Sequence, residues 1–173
     1  GSKTASEVPF ERWREPLLPG GRTLHDQLTH LLAWDEWAVG AFEISALRPL
    51  PPVLVAALRD SDEYNARTER RYRNISRDDV MAALQGMVDR VNISAVRSAP
   101  SGQPWAERRI PDLVGARIIV DATTGAPVAA GSSGPTVREI LQHLLDHERA
   151  HAEEIGAAFG IQPDVERFAP PRE

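Results

Sequence analysis

The chain has 173 residues, a net charge of −5, 42% hydrophobic and 26% charged residues, and no cysteine. These figures describe an ordinary soluble globular protein of one domain, residues 1–173, and they exclude disulfides, Cys-ligated zinc and a thiol nucleophile of the protein's own. The acidic balance argues against nucleic acid as a partner, no apolar run approaches the roughly 20 residues of a membrane span, and no secretory leader pattern is visible, so a cytoplasmic location is expected.

Residues 1–21 read as an irregular N-terminal arm that ends in Pro19-Gly20-Gly21, with Phe10 and Trp13 placed to pack on the core. Residues 22–97 hold three helical segments. Thr23 caps the first, with Asp26 three residues on. Leu24, Leu28, Leu31, Ala38 and Phe42 recur at helical spacing on one face, and the helix stops before Pro49. Pro51-Pro52 opens a second segment, Val53 to Arg73, broken near Asp60-Ser61-Asp62. Its basic cluster, Arg67, Arg70, Arg71 and Arg73, reads as a solvated helix face rather than a phosphate site. Ser76 and Asp79 cap a third helix with an apolar stripe of Val80, Leu84, Met87, Val88 and Val91.

Residues 98–134 are rich in Pro, Gly and Ser. They form either a long loop or a small β-hairpin insertion, with Ala116–Val120 and Ala126–Ala130 as strands and Thr124-Gly125 as the turn. So long a connection before the last helix suggests a lid or binding loop on the open side of a site, with Trp105 as a substrate contact. The last helix, 135–160, begins at a Thr136/Glu139 capping box and ends at Gly160, with Pro163 beyond; residues 161–173 are a tail.

Three of the five histidines lie on that last helix. If Leu144 marks the centre of its apolar face, His151 lies within about 20° of it, His147 within about 60°, and His143 about 100° away at the edge of solvent. An i, i+4 pair can chelate one ion, and neutral imidazole suits zinc, nickel, copper or iron(II). A third ligand must come from a facing helix. His30 shares an apolar shoulder with Trp34 and Trp37, whereas His25 lies on a different side, facing solvent. His30, His147 and His151 are therefore the metal candidates, set against the bland alternative of a surface histidine pair. Two acids, Asp35 and Glu148, fall on core faces. Each either pairs with a buried arginine or acts at the site, orienting a ligand or serving as a general base in catalysis.

The segment Leu28-Thr29-His30-Leu31-Leu32-Ala33-Trp34-Asp35-Glu36-Trp37 is similar to the helix-one motif of the DinB-like superfamily of four-helix bundles. The segment from His143 to His151 is similar to that superfamily's last-helix motif, and Tyr64-Asn65 resembles a polar position of some branches. The resemblance covers most of residues 22–160 and places the family's metal triad on His30, His147 and His151. It implies an all-α, four-helix bundle holding a divalent metal, zinc or nickel, and a small-molecule substrate, with a homodimer left open. It also implies a transferase or isomerase that uses a low-molecular-weight thiol of the mycothiol type as cosubstrate, or a hydrolase that activates water, acting on a reactive electrophile. A non-catalytic metal-binding or small-molecule-sequestering protein is the competing expectation. Lys3 is the sole lysine among 20 basic residues, a bias that suits a GC-rich source, and the absence of cysteine fits an externally supplied thiol.

Overall fold

The computed structural model describes residues 5–120 and 127–162. The class is all-helical, with five helices of eight residues or more among the described residues: α1 (Leu24–Ser45), α2 (Pro52–Arg59), α3 (Ser61–Tyr72), α4 (Arg77–Arg97) and α5 (Val137–Phe159). None of them is long and apolar enough to cross a membrane.

Helix α1 is the hub against which α2, α3, α4 and α5 all pack. Its capping box is complete: the Thr23 hydroxyl accepts from the Asp26 backbone N–H at 3.1 Å, and the Asp26 carboxylate accepts from the Thr23 backbone N–H at 3.0 Å. The expected stripe of Leu24, Leu28, Leu31, Ala38 and Phe42 is buried, but so are Thr29, Leu32, Ala33, Trp37 and Val39 on its other sides. A helix buried all round needs cover from every direction. The N-terminal arm supplies part of it, through Val8, Trp13 and Leu18.

That arm corrects the placement of His25. The residue is 2% exposed rather than facing solvent. Its ring Nε2 donates to the Ile75 carbonyl at 3.0 Å, and its backbone N–H donates to the Trp13 carbonyl at 3.3 Å. Helical periodicity within α1 could not reveal a cover made by another part of the chain. Of the two arm aromatics, Trp13 packs as expected, whereas Phe10 is 64% exposed.

The expected break in the second segment falls at Asp60, whose extended backbone (φ −134°, ψ 77°) separates α2 from α3 and whose carboxylate caps α3 at the Glu63 N–H, 3.0 Å away. Both short helices are pinned to α1 by hydrogen bonds. The Trp37 indole donates to the Leu54 carbonyl at 2.9 Å, the Tyr64 hydroxyl to the Ala33 carbonyl at 2.7 Å, and the Trp34 indole to Asn65 Oδ1 at 3.0 Å. In α4 the Ser76 cap is present, and Val80, Leu84, Met87 and Val91 are buried.

The described part of the connection 98–134 is packed structure rather than a free lid. Ile110, Leu113, Ala116 and Ile118 are all buried, and Trp105 packs against the core. Two single 3-10 turns, Trp105–Glu107 and Pro111–Leu113, shape it, and Ile119–Val120 pairs antiparallel with Pro127–Val128. Among the described residues the expected hairpin is a two-residue ladder; its proposed turn, Thr124-Gly125, and most of the 161–173 tail lie outside the described residues. Gly134 adopts φ +73°, and a Cβ there would come within 2.2 Å of the Ile110 carbonyl oxygen, so no other residue fits without moving the backbone.

Arg108 locks this connection to the far end of α1. It is buried, and its guanidinium donates to the Phe42 carbonyl at 3.2 Å and to the hydroxyls of Ser45 and Ser98 at 3.0 Å each. Truncation would leave buried acceptors unpaired and open a cavity. Arg108→Ala should therefore cost about 2–4 kcal/mol in denaturant unfolding. A loss below about 0.5 kcal/mol would show that the hydrogen bonds do not hold the loop.

Candidate metal centre

Helices α1 and α5 run in opposite senses. The N-terminus of α5 lies beside Arg108, whose backbone carbonyl accepts from the Val137 N–H at 2.8 Å, and so lies at the Phe42 end of α1. This arrangement brings the early part of α1 against the later part of α5. His30 thereby meets His147 and His151, which the capped α5 helix places one turn apart.

The three imidazoles converge. His147 Nε2 is 3.1 Å from His30 Nε2 and 3.0 Å from His151 Nε2, and one ligand atom from each ring lies within 4.8 Å of the others. Two nitrogens bound to one ion at about 2.05 Å are about 2.9 Å apart at a right angle and about 3.3 Å apart at the tetrahedral angle. The observed separations therefore fit ligands of a common ion. Among the described residues this is the one cluster of three or more such donors.

The protonation states suit the same role. Burial first, then the neighbouring His151, lowers the pKa of His30 to about 3. Burial, then His151 and His30, lowers that of His147 to about 2. Both rings are therefore neutral at physiological pH, which is the ligating form.

Two neighbours orient the rings. His151 Nδ1 donates to the Glu154 carboxylate at 2.7 Å, which fixes the tautomer that turns the Nε2 lone pair toward the other histidines. Asn65 hydrogen-bonds the His30 side chain, and its Oδ1 is itself held by the Trp34 indole at 3.0 Å. Glu154 is absent from the sequence reading, although a carboxylate three residues beyond a helical ligand is a legible signal. Asn65 entered that reading through the family resemblance alone.

The two expected acids meet each other. Asp35 is 3% exposed in the core and hydrogen-bonds Glu148 across the α1–α5 interface. Burial, followed by the Glu148 charge and hydrogen bond, raises the Asp35 pKa well above the ordinary carboxylate range. The two carboxyl groups thus form a pair beside the triad.

The triad opens onto a chamber of about 300 Å³ lined by His30, His147, His143, Trp34, Leu58, Ser61, Asn65, Leu144, Arg117 and Ile118. Neither Asp35 nor Glu148 lines it, and neither does Trp105. The long connection does reach the site as expected, but through Arg117 and Ile118. Trp105 is instead used to pack the connection onto α4 and α5. His143 is half-buried, with its ring stacked on that of His147 at 6.5 Å between centroids, and it stands outside the triad.

No family model, no curated protein and no solved structure matches this chain.

Proposed function

We propose that the protein is a metal-dependent enzyme on a DinB-like four-helix bundle, which activates a low-molecular-weight thiol or a water for attack on a reactive small-molecule electrophile. The observation that carries this reading is the convergence of three imidazoles, of which His30 and His147 are held neutral by burial and line a chamber with room for a small molecule. His30, His147 and His151 would hold a divalent ion, with zinc or nickel best matched to three imidazoles. Such an ion supplies Lewis acidity, which lowers the pKa of a thiol or a water at an open position. Glu154 and Asn65 hold two of the rings in their ligating orientation. Trp34, Leu58, Ile118 and Leu144 give the chamber apolar walls that exclude water from the reacting groups. The absence of cysteine leaves any thiol to come from outside the chain.

The test is turnover of a panel of small electrophiles by metal-loaded protein, with and without an added low-molecular-weight thiol. Thiol-dependent turnover that stops on chelation supports the first form of the proposal, and thiol-independent hydrolysis supports the second. Stoichiometric capture without turnover favours a sequestering protein. That second reading has one observation on its side: neither carboxyl group, buried Asp35 nor half-buried Glu148, lines the chamber to act as a base.

The orienting residues give a separate test of the metal. Glu154→Gln should weaken metal binding about 10–100-fold with the fold intact, because it removes the charge that sets the His151 tautomer. His143→Ala and His25→Ala should leave metal stoichiometry unchanged, the latter with a loss of stability from its buried position. Isothermal titration of the apo protein reads both effects. A Glu154→Gln protein that binds metal like wild type would remove Glu154 from the site.

A further inference from the structure

A second chamber meets α1 at His25 rather than His30 and shares no lining residue with the one beside the triad. Its volume is about 530 Å³, within the range of about 300–1,000 Å³ for small-molecule sites. The N-terminal arm contributes Phe10, Trp13 and Arg14 to its wall, and the start of α4 contributes Arg77.

This wall is firmly built. His25, 2% exposed, joins the arm to the turn before α4 through the Trp13 and Ile75 carbonyls. Trp13 is buried too, and its indole donates to the Val8 carbonyl at 3.3 Å. The Arg77 guanidinium lies over both arm aromatics, 4.9 Å from the Trp13 ring centre and 5.7 Å from that of Phe10. Arg77 Nε and His25 Nδ1 are enclosed polar atoms with no hydrogen-bond partner among the described residues. Among those residues no carboxylate forms an ion pair with Arg77 or Arg14, so the Arg77 cation rests on ring faces. Phe10 is 64% exposed, which leaves its ring open to a ligand.

A guanidinium stacked on aromatic rings keeps its planar fork of donors in one orientation, and that fork matches a carboxylate or similar oxyanion. Two acids, Glu11 and Asp78, also line the chamber. Asp78 stands in the first turn of α4, where the positive helix N-terminus offsets its charge. Their presence favours a singly charged ligand over a doubly charged one.

We infer that this chamber is a second ligand site, separate from the metal centre, which binds a small aromatic carboxylate: the aromatic body packs against Phe10, and the carboxylate takes the outer edge of the Arg77 guanidinium, with Arg14 adding charge.

The probes are 2-naphthoate, the neutral 2-naphthylmethanol and 2-naphthyl phosphate, titrated into nitrogen-15-labelled wild-type protein. The indole N–H signals of Trp13 and Trp34 report on the two chambers separately. 2-Naphthoate should move the Trp13 signal, leave that of Trp34 in place, and bind about tenfold more tightly than 2-naphthylmethanol, since a charge-assisted hydrogen bond is added to the same apolar contact. The phosphate should bind no more tightly than the carboxylate. Phe10→Ala, a change at an exposed residue, should weaken both naphthoate and naphthylmethanol about threefold to tenfold. Arg77→Gln should remove the preference for the carboxylate, and raised salt should narrow it in wild type, a measurement that needs no variant. Loading the protein with zinc should change none of these affinities. Equal binding of carboxylate and alcohol to wild type, or tighter binding of the phosphate, overturns the ligand class. Movement of the Trp34 signal in place of Trp13, no binding at all, or affinities that ignore Phe10→Ala overturn the site.

Discussion

Replacing His147 by alanine should abolish stoichiometric metal binding. His147 is the central member of the triad: its Nε2 lies within 3.1 Å of both other Nε2 atoms. Four-ligand protein sites bind zinc with about 10–16 kcal/mol, or about 3 kcal/mol for each ligand. Losing one of three protein ligands should therefore lower affinity on the order of 100-fold or more. His30→Ala and His151→Ala should do the same from opposite sides of the interface. The measurement is metal content after gel filtration, together with competition against a chelator of known affinity. Wild-type retention of the ion in His147→Ala would exclude the triad as the site.

The protonation of the triad adds a condition to that experiment. A metal held by free histidines is displaced as pH falls below about 6, the ordinary imidazole range. Here burial and the mutual proximity of the rings hold His30 and His147 far below that range, at about 3 and about 2. Protons then compete weakly for those two ligands, so metal retention should extend further into acid than their number suggests. The apo protein bears the corresponding cost. Both groups have folded-state pKa values depressed below the ordinary 6.5, so the unfolded chain binds more protons as pH falls from there. Apo stability should be complete above about pH 6.5 and fall on acidification by up to about 1.4 kcal/mol per pH unit for each of these histidines.

Much of this architecture is legible in the residues because its signals are local. The Thr23/Asp26 and Thr136/Glu139 capping boxes, the Asp60 break and the Gly160 terminus are each decided within four residues, and each is present. The triad is also legible, since spacing places His147 and His151 on one face and His30 beside an apolar shoulder. What was hidden depends on contacts between distant parts of the chain. His25 is buried by Trp13 and Ile75, the latter 50 residues away. Arg108 reaches the Phe42 carbonyl across 66 residues. Trp105 reads as a binding-loop aromatic, yet it packs against the core, and Arg117 and Ile118 further along the connection are what meet the chamber. Periodicity turns Glu148 toward the core, but it gives a direction and not a partner. One partner of Glu148 is another acid, Asp35.

That acid pair inverts the effect expected of a buried ion pair. Neutralising one member of a buried salt bridge leaves the other charge alone and costs about 3–5 kcal/mol. Asp35 is instead held against Glu148, in surroundings that oppose ionisation. Two carboxylates in contact share a proton rather than both ionising. Because the folded-state pKa of Asp35 is raised, the folded protein binds more protons than the unfolded chain at every pH between the ordinary 3.8 and that raised value. Stability from this group is therefore full below about pH 4 and declines as pH rises through the window. Asp35→Asn keeps the shape and a hydrogen-bond donor for Glu148 while removing the titration. The apo variant should be more stable than wild type at pH 7, by about 1.4 kcal/mol for each unit by which the Asp35 pKa is raised. The difference should vanish near pH 4. Denaturant unfolding of apo wild type and Asp35→Asn at pH 4, 5.5 and 7 measures it. A variant that is several kcal/mol less stable at pH 7 would mean that Asp35 is ionised against a buried cation. Metal titration of the same variant separates structure from site: a change within about threefold makes the pair a feature of the core, whereas a 10–100-fold loss would make it a support of the histidine ligands.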